Sequence, residues 1–401
     1  MDLNNYKIIY YMSKTKIHSK KIKKSSKNKT QKIKHTTQIP EMYKNITATI
    51  DINLLKHNIN YLKKKAKTDI MPVLKANAYG HGIVEMAKHC RNLGIKYIGV
   101  ATLGEAIQIR NSGDKGRLLG WLYDVTTNEV RDAVLKNIDI GIFDENHIPI
   151  ISKSLPKGVK AKIHLFVDTG IDRNGVPYEK AVEAAKQIVS DPKFELVGMM
   201  SHLCCATEKV NNKPTLKQLE IFRKVRQDLA ELNIKPELVH IGNTAGILQY
   251  DLSDFTLARS GTGIYGYGSK KLIPIMDITS KIIQLKYVSK GAGIGYDRTF
   301  IAHKKTYIGI VPIGYADFLP LTKSEELSVI VNGTKRKVLG LESMDQIVIE
   351  AKKGDKLGDK VDIFGKKNKN FHSGEEFAKM GHTTIHNILT HIGNRVNHIY
   401  I

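Results

Sequence analysis

The chain has few cysteines, and it lacks any long apolar run. Its 401 residues include three cysteines, Cys90, Cys204 and Cys205, an odd number without metal-ligand spacing. Adjacent cysteines rarely pair with each other, so this content predicts a reduced, intracellular chain with no metal site. No apolar stretch approaches the roughly 18 to 20 residues that cross a bilayer, and the amino-terminal end lacks the apolar core of a signal peptide. We therefore expect a cytoplasmic protein without a membrane span.

Acidic residues are also scarce, with 39 Asp and Glu against 63 Lys and Arg. Residues 1–36 hold eleven lysines and one acid, Asp2, and so supply +10 of the formal net charge of +24. Such a composition predicts a disordered, basic tail over residues 1–43. Nucleic-acid binding is the functional alternative, but interleaved aromatic residues and a binding motif are missing. An organelle presequence would be rich in arginine, which this tail lacks. We expect no nucleic-acid partner.

The remaining length and a hydrophobic content of 41% are sufficient for two domains. Over residues 44–280, short apolar runs alternate with segments of helical periodicity, which predicts an α/β fold of the (β/α)8 TIM-barrel type. The eight runs are Met71–Leu74, Tyr97–Val100, Leu118–Leu122, Ile138–Ile142, Lys162–Val167, Leu196–Met200, Leu238–Ile241 and Thr256–Ala258. Over residues 281–401, β-branched segments separated by Gly-rich turns predict a mostly β carboxyl-terminal domain.

One lysine follows an apolar, strand-like segment and precedes a turn rich in glycine. Residues 73–82 read Val-Leu-Lys-Ala-Asn-Ala-Tyr-Gly-His-Gly, with Lys75 third. A lysine at the end of a buried strand loses hydration, which lowers its pKa and frees its amine as a nucleophile. A Schiff base with an aldehyde cofactor requires such an amine. The alternative is a lysine whose stem is buried while its charge reaches solvent.

Further polar residues lie at or just beyond the carboxyl ends of the predicted barrel strands, where barrel enzymes keep their active sites. They are Asp168, His202, His240 and Arg259. Arg259 opens the sequence Arg-Ser-Gly-Thr-Gly, whose glycine NH groups can close on an anion. These positions predict a site at one end of the barrel.

Residues 73–82 closely resemble the pyridoxal-phosphate lysine segment of the alanine racemase family, and the resemblance extends over residues 44–401. It implies that Lys75 anchors pyridoxal 5'-phosphate and that Arg259 faces the ring nitrogen. A guanidinium donates a hydrogen bond but cannot protonate the ring, so a carbanion would be short-lived. The cofactor-binding residues that the resemblance implies are Lys75, Tyr79, His202, Asn243, Thr244, Arg259, Gly261 and Thr262.

Racemisation needs one proton-transfer group on each face of the substrate carbon. The resemblance implies that Lys75 serves one face and that Tyr296, reaching the partner subunit's barrel, serves the other. The implied assembly is a homodimer with shared active sites. The implied substrate-binding residues are Arg173, Tyr315, Met344 and Asp345. The implied function is interconversion of L- and D-alanine, which supplies D-alanine for cell-wall peptidoglycan.

Three positions depart from the family pattern. Phe166 replaces a lysine that many members carry as a carbamate, so Arg173 must be held by another group, such as Asp168, Asp172 or a bound anion. Phe318 stands where glycine is usual. Asn394 stands where some members have a tyrosine. The smaller asparagine would widen the pocket. A serine or broad-specificity racemase is therefore the alternative, and a decarboxylase of the same architecture is disfavoured by Arg259.

Overall fold

The structure is a computed structural model that describes residues 44–208, 210–322, 326–366 and 371–401. The prediction of a disordered tail over residues 1–43 lies outside these residues. None of the helices in the described segments combines the length and apolarity that crossing a membrane would require.

The first ten strands run from the start of the described chain to residue 260. They are β1 (Ile46–Ile50), β2 (Asp69–Pro72), β3 (Tyr97–Thr102), β4 (Arg117–Leu122), β5 (Asp139–Ile142), β6 (Ala161–Asp168), β7 (Val176–Pro177), β8 (Phe194–Met200), β9 (Leu238–His240) and β10 (Leu257–Ser260). The helices between them are α1 (Ile52–Ala66), α2 (Lys75–Tyr79), α3 (Ile83–Asn92), α4 (Leu103–Asn111), α5 (Glu129–Leu135), α6 (His147–Ser154), α7 (Ala181–Ser190), α8 (Lys213–Glu231) and α9 (Thr244–Gln249).

Eight of these strands form the predicted parallel barrel, which is confirmed. Strands β3, β4, β5, β6, β8 and β9 pair in that order, β10 pairs in parallel with β2, and the short β7 pairs with β6. A bridge between Val73 and Gly99 joins β2 to β3. The Arg259 amide donates to the Gly242 carbonyl at 3.1 Å and joins β9 to β10. The barrel therefore closes, and its carboxyl ends meet at one rim.

The barrel has two apolar layers because its strands are buried on both faces. Helix α1 begins at the N-cap Asp51 and packs Leu55, Ile59 and Leu62 inward, with the spacing of one helix face. A separate apolar cluster is formed by residues contributed by different barrel strands: Met71, Leu119, Phe166, Met200 and Leu257. A packed cluster of this kind leaves room for chemistry only at the rim.

The carboxyl-terminal part is mostly β, as predicted. Its strands are β11 (Met276–Lys281), β12 (Gln284–Val288), β13 (Gly293–Ile294), β14 (Phe300–Ile301), β15 (Thr306–Val311), β16 (Ser328–Val331), β17 (Thr334–Lys337), β18 (Ile347–Glu350), β19 (Lys360–Phe364) and β20 (Val396–Tyr400). Its helices are α10 (Gly374–Met380) and α11 (Ile385–Thr390). The main sheet has the order β17-β16-β19-β11-β1-β20, and β12, β15 and β18 form a second sheet.

The strand pairing crosses the predicted division at residue 280. Strand β1 precedes the barrel in sequence, yet it pairs antiparallel with β11 and parallel with β20. Its residues alternate between buried and half-buried, which is the pattern of a strand with one covered face. The segment 44–280 therefore contributes β1 and all but the last residue of β11 to the carboxyl-terminal sheet. Such distant pairing leaves no local signal in the sequence.

Candidate active site

The carboxyl ends of the barrel strands surround a cavity of about 230 Å³. All nine barrel residues that were predicted to contact cofactor or substrate line it: Lys75, Tyr79, Arg173, His202, Asn243, Thr244, Arg259, Gly261 and Thr262. A larger groove of about 560 Å³, beside the first turn of α8, contains none of them. Chemistry rather than size therefore identifies the candidate active site.

Lys75 lies three residues after the end of β2 and begins α2, whose backbone is unusual. Residues Ala76–Tyr79 all have φ between 50° and 55°, which is the left-handed helical region. This conformation costs roughly 1–2 kcal/mol per residue for residues other than glycine. Asn77 stabilises the turn because its Oδ1 accepts a hydrogen bond from the Ile83 amide at 2.9 Å. Backbone strain of this kind marks functional segments, and here it follows the proposed nucleophile.

The electrostatic surroundings of Lys75 favour its neutral amine. Its side chain is open to the cavity of this single chain, but the surrounding protein removes much of its hydration. Burial lowers the pKa of Lys75, and the charges of Arg173 and Arg259 lower it further, whereas Glu105 opposes them. A lowered pKa raises the fraction of amine that can attack a carbonyl or accept a proton.

Hydroxyl and backbone groups from the segments around Thr244 and Gly261 also line the cavity. Thr244 Oγ1 lies 3.0 Å from Ser260 Oγ and accepts a hydrogen bond from the Gly263 amide at 3.2 Å. A Cβ atom added to Gly261 would lie 2.5 Å from the Tyr79 hydroxyl oxygen. Only glycine keeps this space open, so an anion can approach the backbone closely.

Asn243 fixes the first turn of α9 rather than pointing freely into the cavity. Its Oδ1 accepts from the Gly246 amide at 2.9 Å, and its Nδ2 donates to the Leu203 carbonyl at 3.0 Å. Asn243 therefore connects the hydroxyl-bearing end of the cavity to the loop that follows β8.

Arg259 begins a hydrogen-bonded chain that runs through the barrel interior. Its Nη1 donates to His240 Nδ1 at 2.7 Å. Since that nitrogen accepts, His240 Nε2 carries the proton and donates to His164 Nδ1 at 3.0 Å. His164 Nε2 then donates to Asp139 Oδ2 at 3.3 Å, and Arg117 pairs with the same oxygen at 2.5 Å. The direction of every donor follows from the arginine.

Burial sets the charges near the cavity. It lowers the pKa of His202 to about 3 and the pKa of His240 well below its usual value, with the charge of Arg259 adding to both effects. Burial also lowers the pKa of Arg259 to about 9, with Arg173 contributing. At neutral pH both histidines are therefore neutral acceptors, and Arg259 keeps its positive charge.

The four predicted residues of the carboxyl-terminal domain do not line this cavity. Tyr296 is 65% exposed, and Tyr315 and Met344 are also exposed. The amides of residues 315 and 316 donate to the carbonyls of residues 343 and 344, which places Tyr315 beside Met344. Asp345 pairs with Arg395, and Arg395 also pairs with Asp317. These residues lie outside the cavity of their own chain.

The cavity also contains residues that sequence reasoning missed. His386 of α11 lines it, with its ring centroid 6.3 Å from that of Tyr79. Burial lowers the pKa of His386, and the charge of Lys75 adds to this effect. Thr207 also lines the cavity. The only sequence signal for His386 was a helical periodicity, which does not indicate the element it packs against.

The departures from the family pattern have distinct structural settings. Phe166 is buried in the barrel and lines the cavity, so it adds an apolar wall. Arg173 Nε donates to Asn174 Oδ1 at 3.4 Å, whereas Asp168 Oδ1 accepts from the backbone amides of Gly170 and Ile171. Asn394 is exposed and does not line the cavity.

Phe318 has φ of +155°, which is a conformation that favours glycine. It is buried, and its ring packs edge-on against Phe364 with centroids 5.9 Å apart. Aromatic packing therefore offsets the strain of a bulky residue at this position.

Comparisons with known proteins agree along the chain. Residues 50–269 match the family model for the alanine racemase N-terminal domain, and residues 275–400 match that for the C-terminal domain. The chain is 33% identical to an alanine racemase from Thermodesulfovibrio yellowstonii, over 89% of this chain and 98% of that protein. It is 32% identical to an alanine racemase from Borreliella burgdorferi, over 90% of this chain and 98% of that protein.

Solved structures give the same result. The alanine racemase from Streptomyces coelicolor superposes with a TM-score of 0.84 at 28% identity, covering 90% of this chain and 98% of that one. The alanine racemase from Bacillus anthracis, determined with bound L-Ala-P, superposes with a TM-score of 0.82 at 28% identity, covering 90% and 95%. The two family models together span nearly all of the described chain, and the chain therefore belongs to the alanine racemase family.

Proposed function

We propose that this protein is an amino-acid racemase that interconverts L- and D-alanine with pyridoxal 5'-phosphate. The observation that carries the proposal is one cavity in which Lys75, with a lowered pKa, lies with Arg173 and Arg259. None of the described residues that line this cavity is acidic, so it suits an anionic ligand. We propose alanine as the substrate because the relatives are named alanine racemases.

The residues at hand fit a phosphate-bearing aldehyde. Thr244, Thr262, Tyr79 and the backbone at Gly261 would hold the phosphate, because the space beside Gly261 admits close approach. Arg259 would donate to the ring nitrogen, and Lys75 would bind the aldehyde carbon. When bound, pyridoxal phosphate withdraws electrons from the substrate Cα and stabilises the charge left by proton removal.

Two groups of the chain would move the proton. The Lys75 amine, neutral in a larger fraction because its pKa is lowered, would accept or return a proton on one face of the substrate. Tyr296 is exposed and lies outside the cavity of its own chain, so we assign the other face to Tyr296 of the partner subunit. The active unit would then be a homodimer with shared sites.

Arg173 would bind the substrate carboxylate, since a guanidinium pairs with a carboxylate through two parallel hydrogen bonds. With Phe166 in place of a carbamate-bearing lysine, Asn174 is the polar partner that orients the Arg173 side chain. Met344 and Asp345, with Tyr315 beside them, would complete the entrance when they meet the partner subunit's cavity.

Arg259 would also limit the reaction type. Because it only donates, and because His240 and His202 are held neutral, no described group beside Arg259 can protonate the ring nitrogen. The negative charge on the substrate carbon would then be short-lived, because the carbon would quickly accept a proton. This favours racemisation over decarboxylation, which needs a longer-lived carbanion.

The first experiment measures racemisation of a panel of L-amino acids, including alanine and serine, by the purified protein with added pyridoxal phosphate. We expect D-alanine to form and the absorbance of lysine-bound cofactor to appear. Lys75→Ala should abolish both, whereas the exposed-lysine control Lys96→Ala should retain both. Normal cofactor retention and turnover in Lys75→Ala would refute the proposal. Release of carbon dioxide without racemisation would establish the decarboxylase instead.

A second experiment tests the shared site. Lys75→Ala and Tyr296→Phe are each expected to be inactive, and mixing the two under subunit exchange should restore activity. A mixed dimer then contains one cavity with an intact Lys75 and an intact Tyr296 of the partner subunit. Persistent inactivity of mixed dimers that are demonstrably formed would show that Tyr296 does not act across subunits.

In the cell we propose a cytoplasmic enzyme whose product is D-alanine for peptidoglycan precursors.

A further inference from the structure

We propose that Cys204 and Cys205 form a dithiol modification site, which small-molecule disulfides convert into an intramolecular disulfide that loosens the cofactor cavity. The link to the cofactor rests on the proposed function, whereas the thiol chemistry stands apart from it. The two Sγ atoms lie 3.0 Å apart. Cys204 is exposed and Cys205 is half-buried, so reagents can reach the pair in the described chain.

The remaining cysteine provides an internal comparison. Cys90 is fully buried on α3, and burial raises the pKa of its thiol to about 12. Thiolate is the reactive form of cysteine, so Cys90 is inert under conditions in which an exposed thiol reacts. The chain therefore contains one accessible pair and one inaccessible thiol.

The pair lies in a loop that contributes other residues to the cavity wall. It lies in the loop after β8, between His202 and Thr207, which both line the cavity. The Leu203 carbonyl, directly before Cys204, accepts a hydrogen bond from Asn243 Nδ2 at 3.0 Å. A backbone change at the two cysteines would therefore reach Asn243 through one hydrogen bond.

Further hydrogen bonds hold the loop to α8. Gln218 Oε1 accepts from the Cys204 amide at 2.9 Å, and Gln218 Nε2 donates to the His202 carbonyl at 2.9 Å. The Cys205 carbonyl accepts from Asn212 Nδ2 at 2.9 Å. Hydrogen bonds therefore hold the backbone on both sides of the pair. Formation of a Cys204–Cys205 disulfide would have to move this hydrogen-bonded backbone.

The chemistry is thiol–disulfide exchange. Either sulfur can donate in the contact between the two thiols, and burial together with this contact raises the pKa of Cys204 to about 11. The Cys205 thiolate attacks a small-molecule disulfide, forming a mixed disulfide and releasing one thiolate. Cys204 loses its proton to solvent and attacks Cys205 Sγ, releasing the second. The two protein sulfurs are oxidised, the reagent is reduced to two thiols, and the two protons end on them.

Geometry makes the product reversible. Consecutive Cα atoms are about 3.8 Å apart, whereas disulfides usually join Cα atoms about 4.4 to 6.8 Å apart. A disulfide between neighbours is therefore strained, and strained exposed disulfides are readily reduced. Closing the ring also brings the sulfurs from 3.0 Å to about 2.05 Å. We expect this movement to displace the Leu203 carbonyl and weaken cofactor binding about threefold to tenfold, the effect of losing about one hydrogen bond.

The test incubates the enzyme with pyridoxal phosphate in glutathione and glutathione disulfide mixtures of stated ratio, followed by acid quench and mass spectrometry. We expect a form lighter by two hydrogens, mapped to the peptide with Cys204 and Cys205 and reversed by dithiothreitol. Titratable thiols in the unfolded chain should fall from three to one. Cys204→Ala and Cys205→Ser should prevent this form, and the matched control Cys90→Ala should still produce it.

The outcomes separate the parts of the proposal. A stable glutathione adduct without the lighter form, or a disulfide between two chains, would overturn the dithiol site. The lighter form with unchanged cofactor dissociation, measured by absorbance, would overturn the link to the cavity. If the protein racemises no amino acid, the proposed function fails, but the mass and thiol measurements still decide the modification site.

Discussion

The carboxylate of Glu105 accepts a hydrogen bond from the Ala76 amide at 2.6 Å, directly after Lys75. Its second oxygen accepts from the amides of Ala101 and Thr102 at 3.0 Å. One side chain thus caps α4 and holds the start of the left-handed turn. Its negative charge also opposes the lowering of the Lys75 pKa. Glu105 therefore combines a structural contact with an electrostatic influence on the proposed nucleophile.

Glu105→Gln removes the charge while keeping one of the two oxygen acceptors, so we expect the pKa of Lys75 to fall further. The measurement is the pH dependence of Lys75 labelling by an amine-reactive reagent in the cofactor-free protein, quantified by mass spectrometry. The midpoint should move to lower pH than in the wild type. Glu85→Gln, which changes an exposed carboxylate paired with Lys88, serves as the control. An unchanged or raised midpoint would show that Glu105 does not set the charge balance at Lys75.

Gly261→Ala places a methyl group 2.5 Å from the Tyr79 hydroxyl oxygen, where no Cβ atom fits without movement. We expect pyridoxal phosphate to bind at least about tenfold more weakly, because the backbone or Tyr79 must shift at the phosphate end. Equilibrium dialysis measures the effect. Gly104→Ala is the matched control, since the added Cβ atom would lie 3.9 Å from Thr102 Oγ1, an ordinary contact. Equal affinity of the two variants would place the phosphate elsewhere.

Asp139→Asn tests the buried chain of hydrogen bonds that runs from Arg259 through His240 and His164 to Asp139. Burial alone would raise the pKa of Asp139, but the contacts with His164 and Arg117 lower it overall. A depressed folded-state pKa contributes stability above the unfolded value of about 3.9, and that stability is lost as pH falls through the folded value. At pH 7 the variant should lose roughly 3 kcal/mol, because Arg117 is left without its carboxylate.

Denaturant unfolding at several pH values provides the measurement. The difference between wild type and Asp139→Asn should be constant from pH 6 to 7 and should shrink below about pH 4. Asp132→Asn, at an exposed pair with Arg131, should change stability by no more than about 1 kcal/mol. A difference that grows toward acid would contradict the assigned direction of the Asp139 pKa.

Substrate range is expected to depend on His386 more than on Asn394. His386 lines the cavity, whereas Asn394 is exposed in the described chain. His386→Ala creates space beside Tyr79 and should raise the ratio of serine to alanine turnover by up to about tenfold, in the range of one added group in a pocket. Asn394→Tyr is compared in the same assay. A larger change from Asn394→Tyr would restore Asn394 as the residue that sets pocket size.

The barrel strands and the Lys75 segment were predictable because their signals are local. Apolar runs mark each strand, and the order around Lys75 is specific. Arg259 was found from its place at the end of a predicted strand, whereas Thr244 was implied only by the resemblance to the alanine racemase family. His386 and Glu105 could not be found this way, because each meets the cavity through a tertiary contact. The capping box of Thr102 and Glu105 predicts a helix start, but nothing nearby predicts that Glu105 also binds the Ala76 amide.

Strand β20, at the carboxyl end of the chain, contacts the turn that follows Lys75. His398 Nε2 contacts the Gly80 carbonyl at 2.7 Å, and the Tyr400 hydroxyl donates to the His81 carbonyl at 2.8 Å. These contacts join residues 318 and 319 positions apart in sequence. During synthesis the barrel strands emerge long before β20, and long-range contacts form slowly. A nascent barrel therefore lacks two of the contacts around Lys75, and cofactor capture is expected to await the emergence of the last strand.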